Sequence, residues 1–374
     1  MKKLFIITGE HSGDKHAADV VKMLKIKAPD IEVEAIGGEN LKAQGVKLFS
    51  DHSKMASVGF SLKILFDHIS LGKRTVDYMK QFRPDVILLV DYGGFNLNIS
   101  KVLKKQLPAT KLFYFIPPQI WASRKWRINT VKKFIDKVFC IFPFEKPMYE
   151  ANSIACEFVG HPLTHQIPRN HDKQEFFKKY NLDLNKKLVS IFPGSRVFEV
   201  QNLLRTFVKA ADIVKKQVDD VQFVIALAPN LKIDVIKKFL PKNSNIQIIQ
   251  HENYPLLELS DSLILASGTV ALEAALYKTP MLISYRGPEF LYWIYLLVRC
   301  IKHVSLPNII MRKDIIKELI QHDSTANGVA DETIKILTED VYRNKMITEL
   351  TQVENAISDL APAVVVAERL ANLK

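Results

Sequence analysis

The chain has 374 residues, 48% of them hydrophobic, enough for two domains that each bury a core. Lys and Arg outnumber Asp and Glu by 52 to 40, a formal charge of +12 that suits nucleic acid, anionic lipid or a phosphorylated substrate without choosing among them. Cys140, Cys156 and Cys300 form no Cys-x-x-Cys pair, which argues against a disulfide framework and a cysteine zinc site and predicts a reducing, cytoplasmic setting.

In chain order, the elements are those of an α/β protein. Met1-Lys2-Lys3-Leu4-Phe5-Ile6-Ile7 starts like a signal peptide. Its apolar run stops at Thr8-Gly9-Glu10, short of the ~7–15 residues such a segment needs, so a first strand at 4–8 is predicted. Further strands are expected at 33–36, 86–90, 112–116, 138–142 and 156–159, then at 188–192, 222–227, 246–250, 263–266 and 281–285. These runs are apolar on both faces, as in parallel strands covered by helices on each side. Their alternation with amphipathic segments predicts right-handed βαβ units in doubly wound sheets. The pattern restarts after Gly160-His161-Pro162, which gives domains at 1–165 and 166–340. A helical tail at 341–374 is expected to pack back or to be exchanged within a homodimer. The longest other apolar run, 290–298, is far below the ~20 residues that span a bilayer.

Ligands of such sheets bind at the carboxyl ends of strands, so the loops there carry the functional signal. Gly9-Glu10-His11-Ser12-Gly13-Asp14 follows the first strand: Ser12 or Asp14 can cap a helix, and Glu10 is placed for a polar ligand. Asp91-Tyr92-Gly93-Gly94-Phe95-Asn96 follows the very apolar strand at 86–90. Asp91 there reads either as a partly desolvated general base or as an ordinary turn residue, with Asn96 as a cap. Phe192-Pro193-Gly194-Ser195-Arg196 opens a helix with free N–H groups and a positive fork suited to phosphate. Ser267-Gly268-Thr269-Val270-Ala271-Leu272-Glu273 offers hydroxyls, close approach to a helix start, and a carboxylate one turn on for ribose hydroxyls. None of these is Gly-x-Gly-x-x-Gly, so NAD is not indicated.

Together, in this order, the loops resemble those of the lipid-A-disaccharide synthase family. The family's Gly-Glu-x-Ser-Gly-Asp, Pro-Gly-Ser-Arg and Ser-Gly-Thr-x-Ala-Leu-Glu are matched from Gly9, Pro193 and Ser267, and its Ser-Leu-Pro-Asn by Ser305-Leu306-Pro307-Asn308. Ile116-Pro117-Pro118-Gln119-Ile120-Trp121-Ala122, Phe142-Pro143-Phe144-Glu145 and Phe158-Val159-Gly160-His161-Pro162 are similar as well. One departure stands out: members often read Asp-x-Pro-Asp-Phe-Asn where this chain has Gly93-Gly94, so a second acid is missing. The resemblance implies a GT-B architecture, two Rossmann-like domains facing a cleft. It also implies an inverting transfer from UDP-diacylglucosamine to diacylglucosamine 1-phosphate. Catalysis would rest on Asp91 and Arg196. UDP would be held by Ser195, Arg196, Ser267, Gly268, Thr269, Glu273 and Asn308, and the acceptor by Glu10, Ser12 and Asn96. No cofactor is expected, and no metal, because no Asp-x-Asp motif lies near these loops.

Acylated substrates imply contact with the cytoplasmic face of the inner membrane. Val58, Phe60, Leu62, Leu65, Phe66 and Ile69 form the candidate contact, the last four at helical spacing. The same spacing also fits a core-facing helix. Arg124, Lys125, Arg127, Lys132 and Lys133, with Trp121 and Trp126, form a basic–aromatic stretch suited to anionic headgroups or a solvated face. No nucleic-acid module is present, so no nucleic-acid partner is expected. His161-x-x-x-His165 has metal-ligand spacing but no acid nearby, and is not expected to bind zinc.

Overall fold

The computed structural model describes residues 2–51, 62–241, 244, 246–298 and 301–373. The chain divides into two compact units, one of residues 1–162 and 357–374, the other of 163–356. In the first, strands β1 (Lys3–Ile7), β2 (Glu32–Gly37), β3 (Lys47–Asp51), β4 (Val86–Val90), β5 (Lys111–Phe115), β6 (Lys137–Cys140) and β7 (Cys156–Phe158) alternate with helices. The helices are α1 (His11–Lys27), α2 (Glu39–Ala43), α3 (Leu62–Phe82), α4 (Gly93–Gln106), α5 (Arg127–Phe134) and α6 (Glu145–Glu150). The strands form one sheet in the order β3-β2-β1-β4-β5-β6-β7, with every pair parallel.

The second unit begins with α7 (Lys173–Lys179), β8 (Lys187–Phe192), α8 (Val197–Val214), β9 (Val221–Leu227), α9 (Ile233–Lys237), β10 (Gln247–Gln250) and α10 (Asn253–Leu259). It continues through β11 (Ser262–Ala266), α11 (Val270–Leu276), β12 (Met281–Tyr285), α12 (Glu289–Val298), α13 (Leu306–Met311), β13 (Lys317–Ile320) and α14 (Ala326–Thr338). Its parallel sheet runs β10-β9-β8-β11-β12-β13, the dinucleotide-fold order. The central strands β4 and β11 are buried at every position, which is why their sequences do not alternate. The core of the first unit gathers Phe5, Ile7, Ile87, Leu89 and Tyr114, that of the second Val189, Ile191, Phe207, Ile225 and Ile264.

The tail is not one body. α15 (Asp340–Ser358) belongs to the second unit up to residue 356, whereas α16 (Pro362–Ala371) lies in the first and packs on α1. Val366, Ala367 and Leu370 are buried there, Lys27 pairs with Glu368 at 2.9 Å, and Arg369 forks onto Glu157 at 2.7 and 3.0 Å. Gly160, at φ 86°, lets this segment close in, since a Cβ would come within 2.3 Å of the Leu360 carbonyl oxygen. Two strands escaped the sequence reading, β3 and β13, and each is the outermost strand of its sheet.

Candidate active site

Each sheet reverses its winding once, at β1/β4 in the first unit and at β8/β11 in the second. The crevice at such a switch point is where open α/β sheets take ligands. The four motif loops follow those four strands. The register pairs Ile7 with Leu89 and Leu265 with Phe192, so each pair of loops emerges side by side from its sheet.

In the first unit, Asp91 and Tyr92 both lie in the left-handed region, at φ 50° and 52°. Consecutive strained residues persist only where their surroundings over-determine them, and here the ties are visible. The Asp91 N–H donates to the Phe115 carbonyl oxygen at 3.1 Å. The Asp91 carbonyl oxygen accepts from Asn96 Nδ2 at 2.8 Å and from the Tyr114 hydroxyl at 2.7 Å. The Tyr92 ring lies against Gly9, where a Cβ would come within 2.2 Å of it, and the Tyr92 hydroxyl hydrogen-bonds His68 of α3. The Asp91 carboxyl is half-buried, and burial first, then the charge of Glu10, pushes its pKa above the ordinary carboxylate value.

Two expected ligand or cap residues, Asp14 and Asn96, turn inward instead. Asp14 is fully buried, and its carboxylate accepts from the N–H groups of Gly38 (2.6 Å) and Asn40 (2.9 Å), bracing the start of α2. Helix α1 starts at His11 with no side-chain cap, so Ser12 is exposed rather than capping it, and Glu10 is exposed beside it. Asn96, read as an acceptor contact, has no exposed surface; its amide spans the carbonyl oxygens of Asp91, Val90 and Ile7, and Oδ1 is buried without a partner. It holds the loop from below.

In the second unit, Glu199 changes the reading of the Pro-Gly-Ser-Arg turn. Its carboxylate accepts from the N–H groups of Ser195 (2.9 Å) and Arg196 (3.2 Å) and from Arg196 Nη1 (2.9 Å). The donors expected to meet phosphate are thus already occupied, half of a capping box. The Arg196 side chain stays 80% exposed, and Ser195 is also exposed. Asn308, read as a donor contact, is fully buried and fully used. It donates to Ile316 O and Glu318 Oε1 (both 2.9 Å) and accepts from the N–H groups of Ile315 (2.9 Å) and Ile316 (3.0 Å). A side chain with every polar position filled cannot also bind a nucleotide.

The Ser267–Gly268–Thr269 turn is open by contrast. Gly268 and Thr269 are exposed, and a Cβ on Gly268 would meet nothing within 4 Å. Glu273, one turn into α11, is half-buried, and burial pushes its carboxyl pKa upward. Among the described residues its carboxylate has no hydrogen bond or ion pair. No group of three or more His, Cys, Asp or Glu side chains is placed to hold a metal among the described residues.

Of the membrane-contact candidates, Val58 and Phe60 lie outside the described residues, as do the side chains of Leu62 and Leu65. Phe66 and Ile69 are 66% and 60% exposed, while Leu71, Val76, Met79 and Phe82 further along the same helix are buried. Trp126 is exposed, but Trp121 is buried and donates to Glu145 at 3.0 Å, so it is not a headgroup contact. Burial pushes the Glu145 carboxyl up to about 7. No helix among the described residues is long and apolar enough to cross a membrane.

Comparison with known proteins agrees with this geometry. The whole chain superposes on a UDP-GlcNAc 2-epimerase from Neisseria meningitidis, bound to UDP-GlcNAc, with a TM-score of 0.66 at 15% identity, covering 100% of both chains. A glycosyltransferase from Rickettsia africae matches at TM-score 0.61 and 13% identity over 99% and 97% of the two chains. The fold is therefore that of the GT-B glycosyltransferases and epimerases. A profile of the lipid-A-disaccharide synthetase family matches residues 4–368. A lipid-A-disaccharide synthase from Coxiella burnetii is 35% identical over 352 residues, 93% of this chain and 92% of that one. The chain belongs to the lipid-A-disaccharide synthase family, and is a glycosyltransferase of lipid A biosynthesis acting on UDP-sugar and lipid substrates.

Proposed function

We propose that the enzyme transfers 2,3-diacylglucosamine from its UDP derivative to the 6-hydroxyl of 2,3-diacylglucosamine 1-phosphate, forming a β-1,6 disaccharide 1-phosphate and UDP with inversion. The acceptor belongs to the first unit and the donor to the second. Asp91 takes the proton from the 6-hydroxyl as that oxygen attacks the anomeric carbon from the face opposite UDP. The observation that carries this role is the turn at β4: a half-buried carboxylate at the switch point, lifted in pKa by burial and by Glu10, on a backbone tied down by Tyr114 and Asn96. A base must be ionised to act, so the rate rises as pH passes upward through this displaced value. Glu10 and Ser12, both exposed, complete the acceptor side.

Support for the donor side comes from the open Ser267–Thr269 turn and from Glu273, whose carboxylate, without a partner among the described residues, suits two ribose hydroxyls. Arg196 offsets charge on the departing diphosphate through its side chain, with Ser195 alongside and no part for Asn308. No metal or cofactor is assigned a role. Phe66 and Ile69 favour peripheral seating on the cytoplasmic face of the inner membrane.

UDP release from UDP-diacylglucosamine, measured with and without acceptor for wild type and Asp91→Ala, tests the scheme. Acceptor-dependent release that disappears in the variant while UDP still binds is the expected result. Release that is independent of acceptor in wild type overturns it.

A further inference from the structure

Arg127, the first residue of α5, reaches the acceptor loop from a different strand connection. Its Nη1 comes within 3.6 Å of the position a Cβ on Gly93 would take, two residues from Asp91. Its charge is also felt at the Tyr114 hydroxyl, the group that donates to the Asp91 carbonyl oxygen. The side chain is half-buried. Yet among the described residues the Arg127 guanidinium has neither a hydrogen bond nor an ion pair, and the same holds for Arg124 beside it. Arg169, Arg196, Arg343 and Arg369 each have a carboxylate instead. Burial, and next the like charge of Arg124, works against the protonated form of Arg127. Two neighbouring cations, one partly withdrawn from water and neither neutralised, are a costly arrangement unless an anion joins them.

Among the described residues neither arginine is paired with a carboxylate. The first turn of α4 has no acidic residue, and position 94 is a glycine whose Cβ would meet nothing within 4 Å. A planar guanidinium fork matches two oxygens of a phosphate.

We propose that Arg127, assisted by Arg124, binds the phosphomonoester of the acceptor lipid, and so selects a phosphorylated sugar over its free-hydroxyl counterpart. This rests on the acceptor lying in the first unit, as proposed above. The same fork chemistry would take a phosphate from a bilayer headgroup, so the test separates the two sources.

Initial rates are measured in neutral detergent micelles with two acceptors, diacylglucosamine 1-phosphate and the same lipid bearing a free 1-hydroxyl. Arg127→Gln is expected to raise KM for the phosphorylated acceptor about 10- to 100-fold, the loss of a charge-assisted hydrogen-bonded pair. It should leave kcat within about twofold and the constants for the free-hydroxyl acceptor unchanged. Arg127→Lys should restore part of the loss, and Arg124→Gln should cost less. Equal losses on both acceptors, a fall in kcat alone, or a wild type that does not distinguish the acceptors overturns the proposal. So does loss of flotation with phosphatidylglycerol vesicles in Arg127→Gln while KM for the phosphorylated acceptor is unchanged, which would assign the arginine to the bilayer. Asp91→Asn, run in parallel, should lower kcat on both acceptors. Full activity there removes the general base without touching the phosphate discrimination, so the two failures are separable.

Discussion

The two switch-point loops that carry the carboxylates differ in how much of their surroundings is fixed. Around Asp91 the backbone is tied down: Asn96 and Tyr114 bind its carbonyl oxygen, and Tyr92 sits on Gly9 with its hydroxyl on His68. Around Glu273 the corresponding groups stand open, with an exposed turn and no partner for the carboxylate among the described residues. A base must be aimed within a fraction of an ångström before the reaction starts, whereas a nucleotide brings its own hydroxyls and can complete a receptive loop. On the proposed scheme, rigidity is thus invested where a proton would move, and openness where a nucleotide would dock.

The contrast can be broken at several points. Asp91→Ala should cost about 100- to 10,000-fold in kcat with UDP affinity unchanged, as removal of a general base does; calorimetry of UDP binding alongside the rates checks both halves. In wild type the acidic limb of kcat should lie above the ordinary carboxylate range, because burial and Glu10 raise the pKa of this carboxyl. Asn308→Ala should destabilise the protein by about 2–4 kcal/mol, since several buried hydrogen bonds lose one partner. Denaturant unfolding measures the loss, and the UDP Kd of the folded fraction should stay put, which a ligand contact would not allow. Gly9→Ala should push the Tyr92 ring off its seat, costing about 1–3 kcal/mol and lowering kcat more than it raises KM. Glu273→Gln should weaken UDP binding about tenfold and leave the unfolding midpoint nearly unmoved, because among the described residues that carboxylate makes no hydrogen bond or ion pair.

The same contrast explains what the sequence could reveal. Strands β4 and β11 were readable because full burial leaves an uninterrupted apolar run. β3, Lys-Leu-Phe-Ser-Asp, and β13, Lys-Glu-Leu-Ile, were not, since an edge strand needs fewer apolar residues and shows polar ones to water. The motifs marked four loops that the fold brings to the two switch points. What they did not disclose was the direction each side chain takes. Asp14 and Asn40 are 26 positions apart, Asn96 and Ile7 are 89 apart, and no local spacing announces that such residues are bonded to each other rather than to a ligand. Glu199 was within reach, because an acid at the third position of a helix commonly caps its own N-terminus. His68 gave no signal at all, its bond to Tyr92 depending on how α3 crosses the sheet end.

The chain leaves the first unit at Pro162 and re-enters it at Ile357. During synthesis the second unit, one unbroken stretch, has all its residues outside the ribosome before the first can be finished. Until α16 arrives, the outer face of α1 has no cover, and α1 follows directly on the loop holding Gly9 and Glu10. A chain made only as far as Ala356 therefore holds every residue of the second unit while the first still lacks the segment that packs on α1. Completion of the first unit waits on α16.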